Sequence, residues 1–197
     1  MLIETFCVPN GLFALFISRE LRKKNIAEYL LYMWQVEDII RANNMSLDRI
    51  KEVLVKPYNL TLEAENELVE WYGNLIEMMR LEDVKEKGHL QINNNVLINL
   101  TDLHLRLLKS PKMPFYSAAY YKALPFIVEF RTKSEGRGKG ELENCFDALY
   151  MVWLMKLQKR EINEETLKAT NEISRFVSML SLYFKEDEEG RLNLDEE

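Results

Sequence analysis

The chain reads as an all-α protein, a single-domain antiparallel bundle of about six to seven helices. Three observations support this. Apolar residues recur at helical spacing along nearly the whole chain, glycines and prolines fall between the periodic segments, and alternating strand-like runs are missing. Short connections between successive helices favour antiparallel neighbours.

The first helix is expected from Ser18 or Asn25 to Ala42, with Asn25 and Glu28 imitating a capping box before NNMS breaks it. Ser46 caps a short second helix to about Val55, closed by Pro57 and Asn59. A third starts at Thr61 and stops near Gly88. Leu68, Trp71, Tyr72, Leu75, Ile76, Met78 and Met79 share one of its faces, and Glu63, Asn66, Glu67, Glu70, Asn74 and Glu77 share the other. The fourth covers Gln91 to Lys109, and the fifth Pro114 to Lys133, where Pro125 should kink or split it. After the loop KSEGRGKGE a sixth helix reaches about Arg160, and a seventh runs from Asn163 to about Lys185. The domain is thus 18–185, preceded by an N-terminal extension (1–17) and followed by an acidic, flexible tail (186–197). The first and sixth helices are apolar around most of their circumference, as central helices must be.

At 197 residues and 47% apolar content the chain can bury one sizeable core. Its net charge of −6 argues against nucleic-acid binding, which needs a concentrated positive face; the cluster Arg19, Arg22, Lys23 and Lys24 is too small to change that. Glu4 before and Arg19 after the apolar patch Leu12–Ile17 is the wrong charge order for a signal peptide, and no stretch is long enough to span a bilayer. A cytoplasmic location follows as the expectation. Cys7 and Cys145 form no CxxC and have only His89 and His104 for company, so both read as free thiols, with no metal and no cofactor expected.

Chemistry-bearing patterns are few. The acidic face of the third helix suggests the carboxylate pairs of all-α pyrophosphohydrolases, but Glu143 with Asp147, the only opposing pair, lacks their ExxD spacing. GRGKG at 136–140 precedes a helix and could cradle an anion, though without a strand before it a connector is the simpler reading. No serine or cysteine nucleophile stands beside a base, and no RxxxxH occurs. Trp34, Trp71, Trp153 and the tyrosines between Tyr116 and Tyr121 sit at core spacing.

One anomaly remains. In NIAEYLLYMWQVEDIIRA, Glu37 projects from an apolar arc formed by Ile26, Leu30, Met33, Trp34 and Ile40, while Asp38 turns towards a polar strip with Gln35. An unpartnered buried carboxylate costs several kcal/mol, and Arg41, four residues on, is the nearest partner. His104 likewise lies among leucines. A polar pocket shared by Glu37, Arg41 and His104, with Asp38 and a tyrosine hydroxyl such as Tyr120, is therefore the candidate ligand-binding site; the alternative is a rim pair and a histidine bonded to backbone.

The run KKNIAEYLLYMWQVEDIIRA (23–42) resembles the opening helix of an uncharacterised bacterial all-helical family of unknown function. The resemblance implies coverage from about Phe16 to the C-terminus and brings no activity, ligand or catalytic residue with it. The surplus of apolar helix faces makes a binding or protein-interaction module, as a homodimer or with another protein, the leading functional expectation. A small-molecule or metal-dependent hydrolase with a polar pocket between helices is the alternative.

Overall fold

A computed structural model describes residues 11–134 and 138–194. Among these there are eight α-helices and no strand: α1 (Gly11–Lys24), α2 (Ile26–Ala42), α3 (Leu47–Ile50), α4 (Leu62–Leu81), α5 (Gln91–Lys109), α6 (Pro114–Lys133), α7 (Glu141–Leu157) and α8 (Glu164–Glu188). The chain forms two compact units. The first ends at Val96 and the second begins at Leu97, so the boundary falls inside α5.

In the first unit the opening helix starts at the second of its two expected boundaries, Asn25, and a separate helix, α1, precedes it. Asn25 separates the two in an extended conformation, accepting from the Glu28 amide and donating its own Nδ2 to the Glu28 carboxylate at 2.9 Å, which gives α2 a fresh N-terminus. The segment preceding α2 is therefore helical from Gly11 on. α1 packs on α2 and α4, and α3 packs on α4. Met33, Val36 and Ile40 of α2 join Leu68, Tyr72, Ile76 and Met79 of α4 in one core. Every residue of α2 from Leu30 to Glu37 is buried, so this helix is enclosed on all sides. Beyond α3 the chain widens into a π turn (Lys51–Val55) and tightens into a 3-10 turn (Lys56–Tyr58) around Pro57, whose missing N–H cannot continue the α ladder.

The second unit packs α6, α7 and α8 together. α7 buries Leu142, Cys145, Phe146, Leu149, Val152 and Trp153, and α8 presents Ile173, Phe176, Val177, Leu180 and Phe184. α6 runs unbroken through Pro125. Pro125 is on the solvent side, where the carbonyl it leaves without a donor can be hydrated.

Four helices end on the same device. After α2, α4, α7 and α8 a residue with positive φ (Asn44, Asp83, Lys159, Gly190) folds the chain back, and the next amide bonds a carbonyl five residues earlier, as Val84 N–H does to Met79 O at 3.0 Å. This places the end of α4 at Leu81, short of the Gly88 expected from sequence. α8 runs to Glu188, past the expected Lys185. Among the described residues no helix is long and apolar enough to cross a membrane.

Candidate functional site

The buried acid of α2 is fully enclosed, and three donors hold it. Glu37 is 0% exposed. Its Oε2 lies 2.6 Å from His89 Nδ1, and its Oε1 accepts from the Leu90 amide at 3.0 Å and from Asn93 Nδ2 at 2.7 Å. Leu90 precedes the first residue of α5 and has no side chain able to cap it. Glu37 thus serves as that helix's N-terminal acceptor from another helix, where the macrodipole also favours negative charge. Glu82 does the same for the next amide, Gln91 N–H, at 2.6 Å. His89 in turn stacks on Trp34, ring centroids 4.0 Å apart and planes 10° from parallel.

Arg41 is not the partner of Glu37. Its guanidinium bonds Asp38 at 2.8 Å and the carbonyl oxygens of Val84 (3.1 Å) and Gly88. Asp38, three residues before Arg41, offers its carboxylate at the partly exposed side of α2, whereas Glu37 is already saturated. Gln35, expected beside Asp38 on a polar strip, is buried. The C-terminal half of α2 thus organises the whole α4–α5 connection, Arg41 gripping its middle and Glu37 its end.

His104 belongs to the second unit and has a tyrosine partner: Nδ1 is 2.6 Å from the Tyr116 hydroxyl. Tyr120 and Phe176 place ring edges against the imidazole at 4.9 and 5.4 Å. Tyr120 itself donates to Glu141 at 2.7 Å. Burial pushes the His104 pKa below its ordinary value, against an opposing pull from Glu141. Burial raises the Tyr116 and Tyr120 hydroxyls and the Cys145 thiol well above theirs. Cys145 is a free, buried thiol; Cys7 lies outside the described residues. Of the five residues expected at one site, Glu37, Asp38 and Arg41 belong to the first unit and His104 and Tyr120 to the second, and each has hydrogen-bond partners in its own unit.

Of the GRGKG loop, Gly138–Gly140 is described: Lys139 bonds Asp147 at 2.7 Å and Glu143 at 3.3 Å, so carboxylates of α7 already engage the lysine expected to face an anion. Among the described residues no group of three or more His, Cys, Asp or Glu side chains is arranged to hold a metal.

Two surface features of the second unit stand out. Tyr121, counted with the core tyrosines from sequence, faces outward at 64% exposure. It lies in an exposed row with Pro114, Ala118, Pro125, Val128 and Thr132 along the side of α6 opposite buried Tyr116, Tyr120, Ala123 and Ile127. The other is a cavity of about 310 Å³ among α6, α7 and α8.

Fold and site together define an all-helical protein whose interior polar groups tie helices to one another and whose exposed large apolar side chains are spread over several helices, Phe115, Tyr121 and Val128 of α6 among them. The chain belongs to the family described as a domain of unknown function (DUF4924), which it matches over residues 15–191. No curated protein and no solved structure matches the chain significantly.

Proposed function

We propose that the domain is a protein-interaction module whose contact surface is the outer face of α6 and whose partner is a second copy of the chain. The observation that carries this reading is the exposed row Pro114, Ala118, Tyr121, Pro125, Val128, Thr132, spaced alternately by four and three residues. That is the mean 3.5-residue repeat with which one helix seats on another, here on the solvent side of a helix whose other side is already buried. The row is also symmetric about position 123. Antiparallel pairing across a twofold axis sets Ala118 against Val128 of the other copy, small against larger, and the Tyr121 ring against Pro125. No charged residue interrupts the row, and the flanking Lys122 and Glu129 are engaged by Glu172 and Lys133.

A 20-residue helix is about 30 Å long. One such seam falls short of the roughly 800 Å² per partner of a standard interface, so the dimer is expected to be reversible.

Sedimentation velocity across a concentration series tests this. The expected result is a monomer–dimer equilibrium that Ala118→Arg or Tyr121→Glu shifts to monomer without lowering the unfolding temperature of the monomer. In a Cys7→Ser background, Ala118→Cys combined with Val128→Cys should cross-link copies under mild oxidation. A strict monomer at all concentrations overturns the reading.

The hydrolase alternative finds less support. Both carboxylate oxygens of Glu37 are committed to His89, Leu90 and Asn93, which suits an architectural anchor better than a group that must activate water.

A further inference from the structure

The cavity of the second unit lies between the C-terminal third of α6, the middle of α7 and the first half of α8. Its walls are Phe126 and Phe130, Met151 and Val152, and Ile173. Two of its lining residues, Ala148 and Ala169, carry only a methyl group. Protein interiors carry few voids larger than a water molecule, and an apolar void of about 150 Å³ already admits benzene. At about 310 Å³ this one reaches the lower end of the range for small-molecule sites.

The inside is apolar and chemically quiet: the Thr170 hydroxyl is spent on the Thr166 carbonyl at 2.6 Å, and the Thr166 amide on its cap, Asn163, at 2.7 Å. Charge is confined to the mouth. There Lys133 is paired with Glu129 and also feels the charge of Glu165, which among the described residues lies within ion-pair distance of no cation. The C-terminal end of α6 and the N-terminal end of α8 meet at the same rim, so their opposed dipole charges offset. Among the described lining residues, two carboxylates stand against one ammonium.

We infer that this cavity is a binding site for a compact aromatic amine, a molecule with one ring system and a short chain ending in an ammonium group. The ring sits against Phe126, Phe130 and the Met151 sulfur, contacts that favour an aromatic over an aliphatic body. The ammonium reaches Glu165 at the rim. The site is independent of the α6 outer face and is complete in a single copy.

Isothermal titration of the full chain with three probes sharing one ring, tryptamine, 3-methylindole and indole-3-acetate, tests the inference. Tryptamine should bind saturably and about two- to five-fold more tightly than the neutral probe, the gain an exposed ion pair supports. The acid should bind most weakly. Glu165→Gln should erase the preference for the amine while leaving 3-methylindole binding unchanged. Ala169→Phe should abolish binding of both with the unfolding temperature unchanged or raised; Ala148→Met repeats that block from α7 should the first variant fail to fold. Absence of saturable binding, equal or tighter binding of the acid, or undiminished binding by both filled variants overturns the inference.

Discussion

The Nδ1 of His89 lies 2.6 Å from Glu37 Oε2, joining residues fifty-two positions apart at the place where α5 begins. The pair is one edge of a cap: the other oxygen takes the Leu90 amide and Asn93 Nδ2, so one carboxylate from α2 fixes the direction in which α5 leaves the α4–α5 connection. Removing it leaves the buried Asn93 amide and the Leu90 N–H without an acceptor, together with a void. Glu37→Ala is therefore expected to cost about 3–5 kcal/mol. Glu37→Gln keeps the shape and one oxygen for Leu90 and Asn93, and should cost only about 1–2 kcal/mol. Urea unfolding followed by circular dichroism measures both.

Arg41 acts on the middle of the same connection. With Asp38 on one arm and the Val84 and Gly88 carbonyls on the other, its fork holds a loop that few apolar side chains anchor. Arg41→Lys cannot span three acceptors and should fail nearly as badly as Arg41→Ala. The expected signature is local: amide hydrogen exchange of residues 84–89 should accelerate at least about tenfold, with α8 unaffected.

Much of this architecture is legible in the residues themselves. α5 and α6 begin and end where the periodicity and the prolines at 111 and 114 place them. Ser46, Thr61 and Asn163 each cap the helix they precede. The end of α4 is harder to read, because Asp83 takes the left-handed conformation that glycine usually supplies, leaving Gly88 as a misleading signal. The partner of Glu37 is harder still. Local spacing offers Arg41, whereas the true partners lie beyond α3 and α4, and helical periodicity carries no information about which distant segment folds back. One clue is present: the helix beginning at Gln91 has leucine at its cap position, so its first amides require an acceptor from elsewhere, and an acid on a greasy arc is the residue able to provide it. Tyr121 shows the converse limit, since apolar spacing on α6 marks two faces and only packing decides which is covered.

The left-handed residue at the end of α4 yields a stabilising change. Asp83 has φ 55, and its amide reaches back to the Arg80 carbonyl at 3.3 Å. Glycine adopts this conformation without the steric cost of a β-carbon. Asp83→Gly should raise stability by about 0.5–1 kcal/mol, read as a higher urea midpoint.

Cys145 should report on opening of the second unit. It is completely buried on α7, and burial holds its thiol protonated far above the ordinary range, so alkylation requires exposure first. Peptide mass spectrometry after iodoacetamide treatment should show Cys145 labelled at least about a hundredfold more slowly in the native protein than in concentrated urea. Glu141→Ala, which releases the Tyr120 hydroxyl next to it, should speed native labelling.

The histidine of the second unit gives the protein a pH-dependent stability whose sign follows from its surroundings. Tyr116, Tyr120 and Phe176 enclose His104, Glu141 is the nearby acid, and the net effect of burial is to lower the folded-state pKa below the unfolded value of about 6.5. A histidine with a depressed folded pKa binds fewer protons in the native than in the unfolded state between those two values. Stability is therefore intact above about pH 6.5 and declines as the pH falls towards the folded pKa, with a slope of at most about 1.4 kcal/mol per pH unit for one proton. His104→Gln preserves a hydrogen-bonding group opposite the Tyr116 hydroxyl but cannot titrate. Urea midpoints measured between about pH 5 and 7.5 should fall more steeply for the parent protein than for this variant, and the difference between the two curves isolates His104 from the other titrating groups, which both proteins share. Parallel curves would mean that the imidazole is protonated inside the fold as readily as outside it, and that the aromatic enclosure does not set its charge.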